Sequence, residues 1–200
     1  MKPRLTGVLF SPGLAALLAG MLGAVPAAAS PAGLRVVASP FIANSSLAGL
    51  AVIGPGDLWA VGAIGTATSP SQTLAEHFDG TSWTVVPTPG LNASLAGVAG
   101  AAGSDVWAVG DQAQGSSVVP LIEHWDGSSW RVTPGPQLPK GSQLTGVTAP
   151  AADNAWAVGF EAGSSAALIE HWDGSGWSVT PSPELPQGSQ LTGVTAPCCG

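Results

Sequence analysis

The 200-residue chain contains no tyrosine, two methionines and two cysteines, and only 8% of its residues are charged. Without a phenol it has no residue for reactions that run on a tyrosyl nucleophile or radical. The cysteines are adjacent, Cys198 and Cys199. A disulfide between neighbours is strained, so in an exported chain their partners are expected beyond residue 200. Cations are scarce as well: five Lys and Arg stand against twelve Asp and Glu, for a net charge of −7. Past the N-terminus only Arg35, Arg131 and Lys140 remain, widely separated. Binding to a phosphate backbone needs clustered cations that release counterions, which excludes nucleic acids and argues against anionic lipid surfaces. The chain also lacks heptads and apolar stripes of 3.6-residue period, which points away from helices and toward short strands.

The long apolar stretch that does occur lies at the start. Lys2 and Arg4 precede Leu5 to Val25, which is broken by Pro12 and several glycines, and Pro26-Ala27-Ala28-Ala29-Ser30 follows. Basic, apolar and small-residue regions in that order predict a secretory signal peptide over residues 1–29. An uncleaved anchor needs ~20 uninterrupted apolar residues. Cleavage removes Lys2 and Arg4 and no acidic residue, moving the net charge from −7 to −9. The expected location is secreted or cell-surface, with no membrane insertion after cleavage. Asn44-Ser45-Ser46 and Asn92-Ala93-Ser94 match the N-glycosylation pattern, which arises easily by chance and bears only on a eukaryotic secretory route.

What remains is dominated by a repeat near 48 residues. Trp59, Trp107 and Trp156 each open Trp-Ala-Val-Gly. His77-Phe78-Asp79-Gly80 recurs as His124-Trp125-Asp126-Gly127 and His171-Trp172-Asp173-Gly174, and Trp83, Trp130 and Trp177 follow in turn. Each unit begins with a similar tetrad: Leu47-Ala48-Gly49-Leu50, Leu95-Ala96-Gly97-Val98, Leu144-Thr145-Gly146-Val147 and Leu191-Thr192-Gly193-Val194. Twenty-eight glycines and eighteen prolines would suit a disordered chain, but eight tryptophans at fixed places in a repeat do not.

Each unit divides into four short apolar segments, the content of one β-propeller blade. In the second unit strands are expected around Leu95 to Ala99, Val106 to Val109, Pro120 to Trp125 and Trp130 to Thr133. Gly103-Ser104-Asp105 turns the first into the second, and Asp126-Gly127 is expected to make a type I′ turn with both residues at positive φ. Arg131 and Pro134 suit an outer edge, where a missing ladder donor is tolerated. The run Val106-Trp107-Ala108-Val109 is apolar on both faces, so both must be covered, as neighbouring blades would do.

The expected fold is therefore all-β, with three complete four-stranded antiparallel blades and a partial fourth. The boundaries are 34–46 for a leading outer strand, 47–94, 95–143 and 144–190 for the blades, and 191–200 for the start of the next. Leu34 to Pro40 aligns with Trp130 to Pro134 and would clasp a ring. The fourth unit breaks off at Gly200, which favours a fragment of a larger ring over a ring completed by a second chain.

The order Trp107-Ala108-Val109-Gly110, a loop, Leu121 to Trp130, then Pro134-Gly135-Pro136 resembles the blade of Kelch-type propellers. It is also similar to secreted bacterial proteins built from such units. The resemblance covers residues 34–197 and departs at the Kelch double glycine, here Gly110-Asp111 or Gly159-Phe160, and at its tyrosine, here His124 or Trp125. Asp126 to Trp130 is similar to the Asp-box turn of sialidase-like propellers, one residue shorter. The copper-radical chemistry of galactose-oxidase-like propellers and the hydrolysis of sialidase-like ones depend on tyrosine, and the latter on an arginine cluster. Neither is present in this chain.

The repeated polar residues read as structure. Glu76-His77, Glu123-His124 and Glu170-His171 pair types that ligate zinc, but neighbours on a strand face opposite ways, and hydrogen bonding within the fold is the expected role. Asp79, Asp126 and Asp173 precede Gly80, Gly127 and Gly174 and belong to turns. The tryptophans read as core. Phe160-Glu161, Asp111-Gln112 and Arg131 do not repeat and are placed in or beside loops. No catalytic residue, metal or cofactor is expected. The function expected is an exported, non-catalytic scaffold that binds an extracellular protein or glycan. The alternative is a hydrolase or lyase acting on extracellular polysaccharide with its catalytic residues in further blades, and a structural surface protein without ligand is the third reading.

Overall fold

The computed structural model describes residues 37–65, 71–138, 141–161, 166–183 and 189–196. Among them are twelve strands and no helix. The strands are β1 (Ser45–Gly54), β2 (Asp57–Ile64), β3 (Gln72–Phe78), β4 (Trp83–Val86), β5 (Ala93–Ala102), β6 (Asp105–Gln114), β7 (Ser117–Trp125), β8 (Trp130–Val132), β9 (Ser142–Ala151), β10 (Asn154–Glu161), β11 (Ala167–Trp172) and β12 (Trp177–Val179). They form three antiparallel sheets, each of four strands in chain order: β1 to β4, β5 to β8 and β9 to β12. The all-β class and the three complete blades are thus as the repeat predicts, and the described blades do not close into a ring.

The ends differ from expectation. The leader at 1–29, Leu34 to Val36 and Cys198-Cys199 lie outside the described residues. Residues 37–44 carry no strand. An outer strand forms only against the third strand of its blade, and among the described residues no ladder partner is found beside this segment. Residues 191–196 carry no strand either, but they rest on the third blade. The Leu191 N–H donates to the Gly159 carbonyl at 3.3 Å, and the Thr145 hydroxyl donates to the Leu191 carbonyl at 2.5 Å.

Inside each blade the second strand is the most enclosed. Val106, Trp107, Ala108 and Val109 of β6 are all buried, as two-sided cover requires. The short fourth strands lie at the sheet edge, where Arg131 of β8 stays exposed and pairs with Asp126 at 3.2 Å. Two apolar clusters fill the junctions between blades. One joins Trp59, Val61 and Ala75 to Leu95, Val98, Ala108 and Trp130, and the other joins Trp107, Val109 and Ile122 to Leu144, Val147, Ala157 and Trp177.

The first strand of every blade carries a bulge at the same place. Leu95 pairs with Gly110 but Gly97 pairs with Val109, leaving Ala96 extra, and Ala48 and Thr145 are extra in β1 and β9. The bulge pushes a carbonyl over the last residue of Trp-Ala-Val-Gly. A Cβ on Gly62, Gly110 or Gly159 would collide with the carbonyl oxygen of Ser46, Ser94 or Gln143. A second set of glycines brings the first strands of successive blades together. A Cβ on Gly49 would sit 3.1 Å from the Gly97 Cα, one on Gly97 3.0 Å from Gly146, and one on Gly146 3.2 Å from Gly193. The recurrent Leu-x-Gly opening is the sequence trace of this column.

The Asp-Gly turns are not type I′. Gly80, Gly127 and Gly174 have φ of 94°, 90° and 90°, whereas the preceding aspartates are not at positive φ. The turn spans Asp126 to Ser129, where the Asp126 N–H donates to the Ser129 carbonyl at 3.3 Å. Asp126 Oδ1 accepts from the Ser128 hydroxyl at 2.6 Å and from the Ser128 and Ser129 N–H groups, both at 2.9 Å. The side chain replaces a backbone acceptor, so only the glycine needs the left-handed region.

Candidate functional site

Each blade holds one histidine in the same setting. His77 Nε2 donates to Asp57 at 2.8 Å, His124 to Asp105 at 2.6 Å, and His171 to the side-chain Oδ1 of Asn154 at 3.0 Å. Each imidazole stacks on the tryptophan of the second strand, with centroids 4.4 Å apart for Trp59–His77 and 4.1 Å for Trp107–His124 and Trp156–His171. The indole then meets the next blade: Trp59 packs edge-on against Trp130 at 5.2 Å and Trp107 against Trp177 at 5.2 Å. In the first two blades the histidine thus ties the start of the second strand to the inter-blade core. Its partners Asp57, Asp105 and Asn154 escape the motif reading. Their signal is the constant spacing of two residues before each tryptophan.

The glutamates behave differently. Glu76, Glu123 and Glu170 face away from the histidines, as alternation on a strand dictates, and all three are buried. Glu123 Oε1 accepts the Thr73 hydroxyl of the preceding blade at 3.1 Å, but its Oε2 is unpaired. Among the described residues Glu170 has no hydrogen-bond partner on either oxygen, where hydrogen bonding within the fold was the expected role. The position of Thr73, just before Leu74, is taken in the second blade by Pro120, which has no hydroxyl to offer. Burial pushes the carboxyls of Glu123 and Glu170 up to about 7.

A buried carboxyl whose pKa is raised above the unfolded value favours the folded state at low pH. It becomes a cost as pH rises from about 4.5 through about 7. Glu170→Gln is expected to raise stability by about 2 kcal/mol at pH 8 and to change it little at pH 4. Urea unfolding at the two pH values measures the difference. An equal effect at both would mean that the carboxyl gains a partner in solution.

The turn carboxylates move the opposite way. Hydroxyl and backbone N–H donors hold Asp79 and Asp173 down at about 2, and Asp126 lower still through Ser128 and Ser129 with a small contribution from Arg131. The turn role accounts for these residues, which stay ionised and bonded within the turn at neutral pH.

The residues that break the repeat lie within strand ends. Asp111 on β6 accepts the Ser94 hydroxyl at 2.9 Å, and Gln112 donates to the Leu91 carbonyl at 2.9 Å. Phe160 and Glu161 end β10. The C-terminal ends of β2 and β6 lie at the blade end away from the Asp-Gly turns, and beside them are two clefts. One, of about 240 Å³, is lined by Ile64, Thr73, Val86 and Thr88, and the other, of about 140 Å³, by Gln114, Val119, Pro136 and Gln137. Among the described residues no group of three His, Cys, Asp or Glu side chains is placed to hold a metal ion. No protein-family model matches this chain, and no curated protein matches it.

Proposed function

We propose that the protein is an exported, non-catalytic propeller of the Kelch-like kind that binds an extracellular protein or glycan through the loops at one end of its blades. One observation carries this reading: the repeated histidines, turn aspartates and tryptophans are each engaged in holding a blade or a junction together. The polar groups left facing solvent near a cleft are amides such as Gln114 and Gln137, which suit recognition through hydrogen bonds. The basic, apolar and small-residue order of residues 1–29 supports export. The acidic balance favours neutral or cationic partners over polyanions.

The test is a binding screen of the secreted chain against extracellular glycans, polysaccharides and proteins, with product analysis of each carbohydrate. Saturable binding without turnover is the expected result. Gln114→Ala or Gln137→Ala should weaken it about tenfold, the loss of one good hydrogen bond. Turnover of a polysaccharide would replace this reading with a hydrolase or lyase.

A further inference from the structure

The two junctions between blades are built alike. Each preceding blade offers a plug, Trp59 with Val61 and Ala75 or Trp107 with Val109 and Ile122, and each following blade supplies a socket. The buried members of these two clusters are each at most 8% exposed, with partly buried residues such as Trp125 and Trp172 packed against them.

Both halves of this interface occur once more with no complete blade against them among the described residues. On the first blade the socket positions are Leu47, Leu50, Ala60 and Trp83, which line a cavity of about 340 Å³. Leu47 is 46% and Leu50 62% exposed, where the equivalent Leu95 and Val98 are buried. Glu76 lines the same cavity with its Oε2 unpaired, in the position where Glu123 meets the neighbouring blade. On the third blade the plug positions are Trp156, Val158 and Ile169, the residue types of the second blade's plug. Trp156 and Ile169 are only half-buried.

We propose that these two faces are the halves of an interface between copies of this chain, the Trp156–Val158–Ile169 plug of one copy seating in the Leu47–Leu50–Trp83 socket of the next. A second copy is the occupant that continues the existing junctions, because it presents the residue types that already fill this socket in the second and third blades. The contact is heterologous, one of each half per copy, so copies add head to tail. Residues 191–196 rest on part of the plug face through two hydrogen bonds and the Gly193–Gly146 contact. The incoming β1 takes their place, with its Gly49 on Gly146.

Sedimentation velocity on the secreted chain tests this, and a mass above the monomer that grows with concentration is expected. Leu50→Glu charges the socket at an exposed position, and Ile169→Glu charges the plug. Each variant alone should be monomeric. Mixed, they should form a dimer and nothing larger, since one keeps its plug and the other its socket. Trp156→Ala serves as a second plug variant, and near-ultraviolet circular dichroism checks that each is folded. A wild-type chain that stays monomeric at submillimolar concentration would overturn the proposal. So would assembly that survives either folded variant, or a mixture that fails to associate.

Discussion

Gly110→Ala should destabilise the protein by about 3 kcal/mol or more, or prevent folding outright. The added methyl would meet the Ser94 carbonyl oxygen inside contact distance, with the Leu95 Cα behind it at 2.8 Å. Both belong to the backbone of β5, which is held by its ladder to β6 on one side and by the Gly97–Gly146 approach on the other. Neither atom can yield as a flexible side chain would. Gly110 is not at positive φ, so the requirement is for space and not for a left-handed backbone. Gly176→Ala is the control, because nothing lies within 4 Å of its would-be Cβ. Its effect should stay within ~0.5 kcal/mol. Equal urea midpoints for the two variants would mean that the bulge opens at little cost.

Trp107→Ala should cost about 4 kcal/mol, and Trp156→Ala about 1–2 kcal/mol, although both open the same Trp-Ala-Val-Gly motif. Trp107 is 1% exposed and touches His124 in its own blade and Trp172 and Trp177 in the next. Removing it empties a junction between two blades, and in an array of repeats such junctions carry much of the stability. Trp156 stacks on His171 and donates to Asn154 at 2.9 Å, but it is only half-buried. Thermal unfolding at a concentration low enough to keep the chain monomeric compares the two. Equal losses would show that the indole acts within its own blade and that the inter-blade contacts add little.

The blade count, the strand positions and the burial of the Trp-Ala-Val-Gly strand were legible because each depends on neighbours close in sequence. Alternation reports whether a strand is covered on one face or two, and Asp-Gly reports a turn. The ladder carries the strands well past these readings: β5 runs Ala93–Ala102 and β6 Asp105–Gln114, where strands around Leu95 to Ala99 and Val106 to Val109 were expected. The turn type was misread because the pair Asp126-Gly127 satisfies two geometries. The one adopted is chosen by Ser128 and Ser129 donating to the aspartate.

The histidine network was half legible. His77, His124 and His171 recur conspicuously, but their partners sit across a ladder nearly twenty residues earlier, at the first position of the second strand. The glutamates were not legible at all. Glu123 and Glu170 occupy the same place in nearly identical segments, yet Thr73 faces one and Pro120 stands in the matching position for the other.

The same division applies to the chain as a whole. By itself the sequence determined that this is an all-β chain of repeated four-stranded blades, poor in cations and without tyrosine. Only the tertiary structure decided which copies of each repeated residue are enclosed and which are left open. Leu95 is buried and Leu47 exposed in matching motifs, because one faces a preceding blade and the other an empty cavity. Enclosure belongs to a pair of blades, and a repeat unit specifies only one member of that pair.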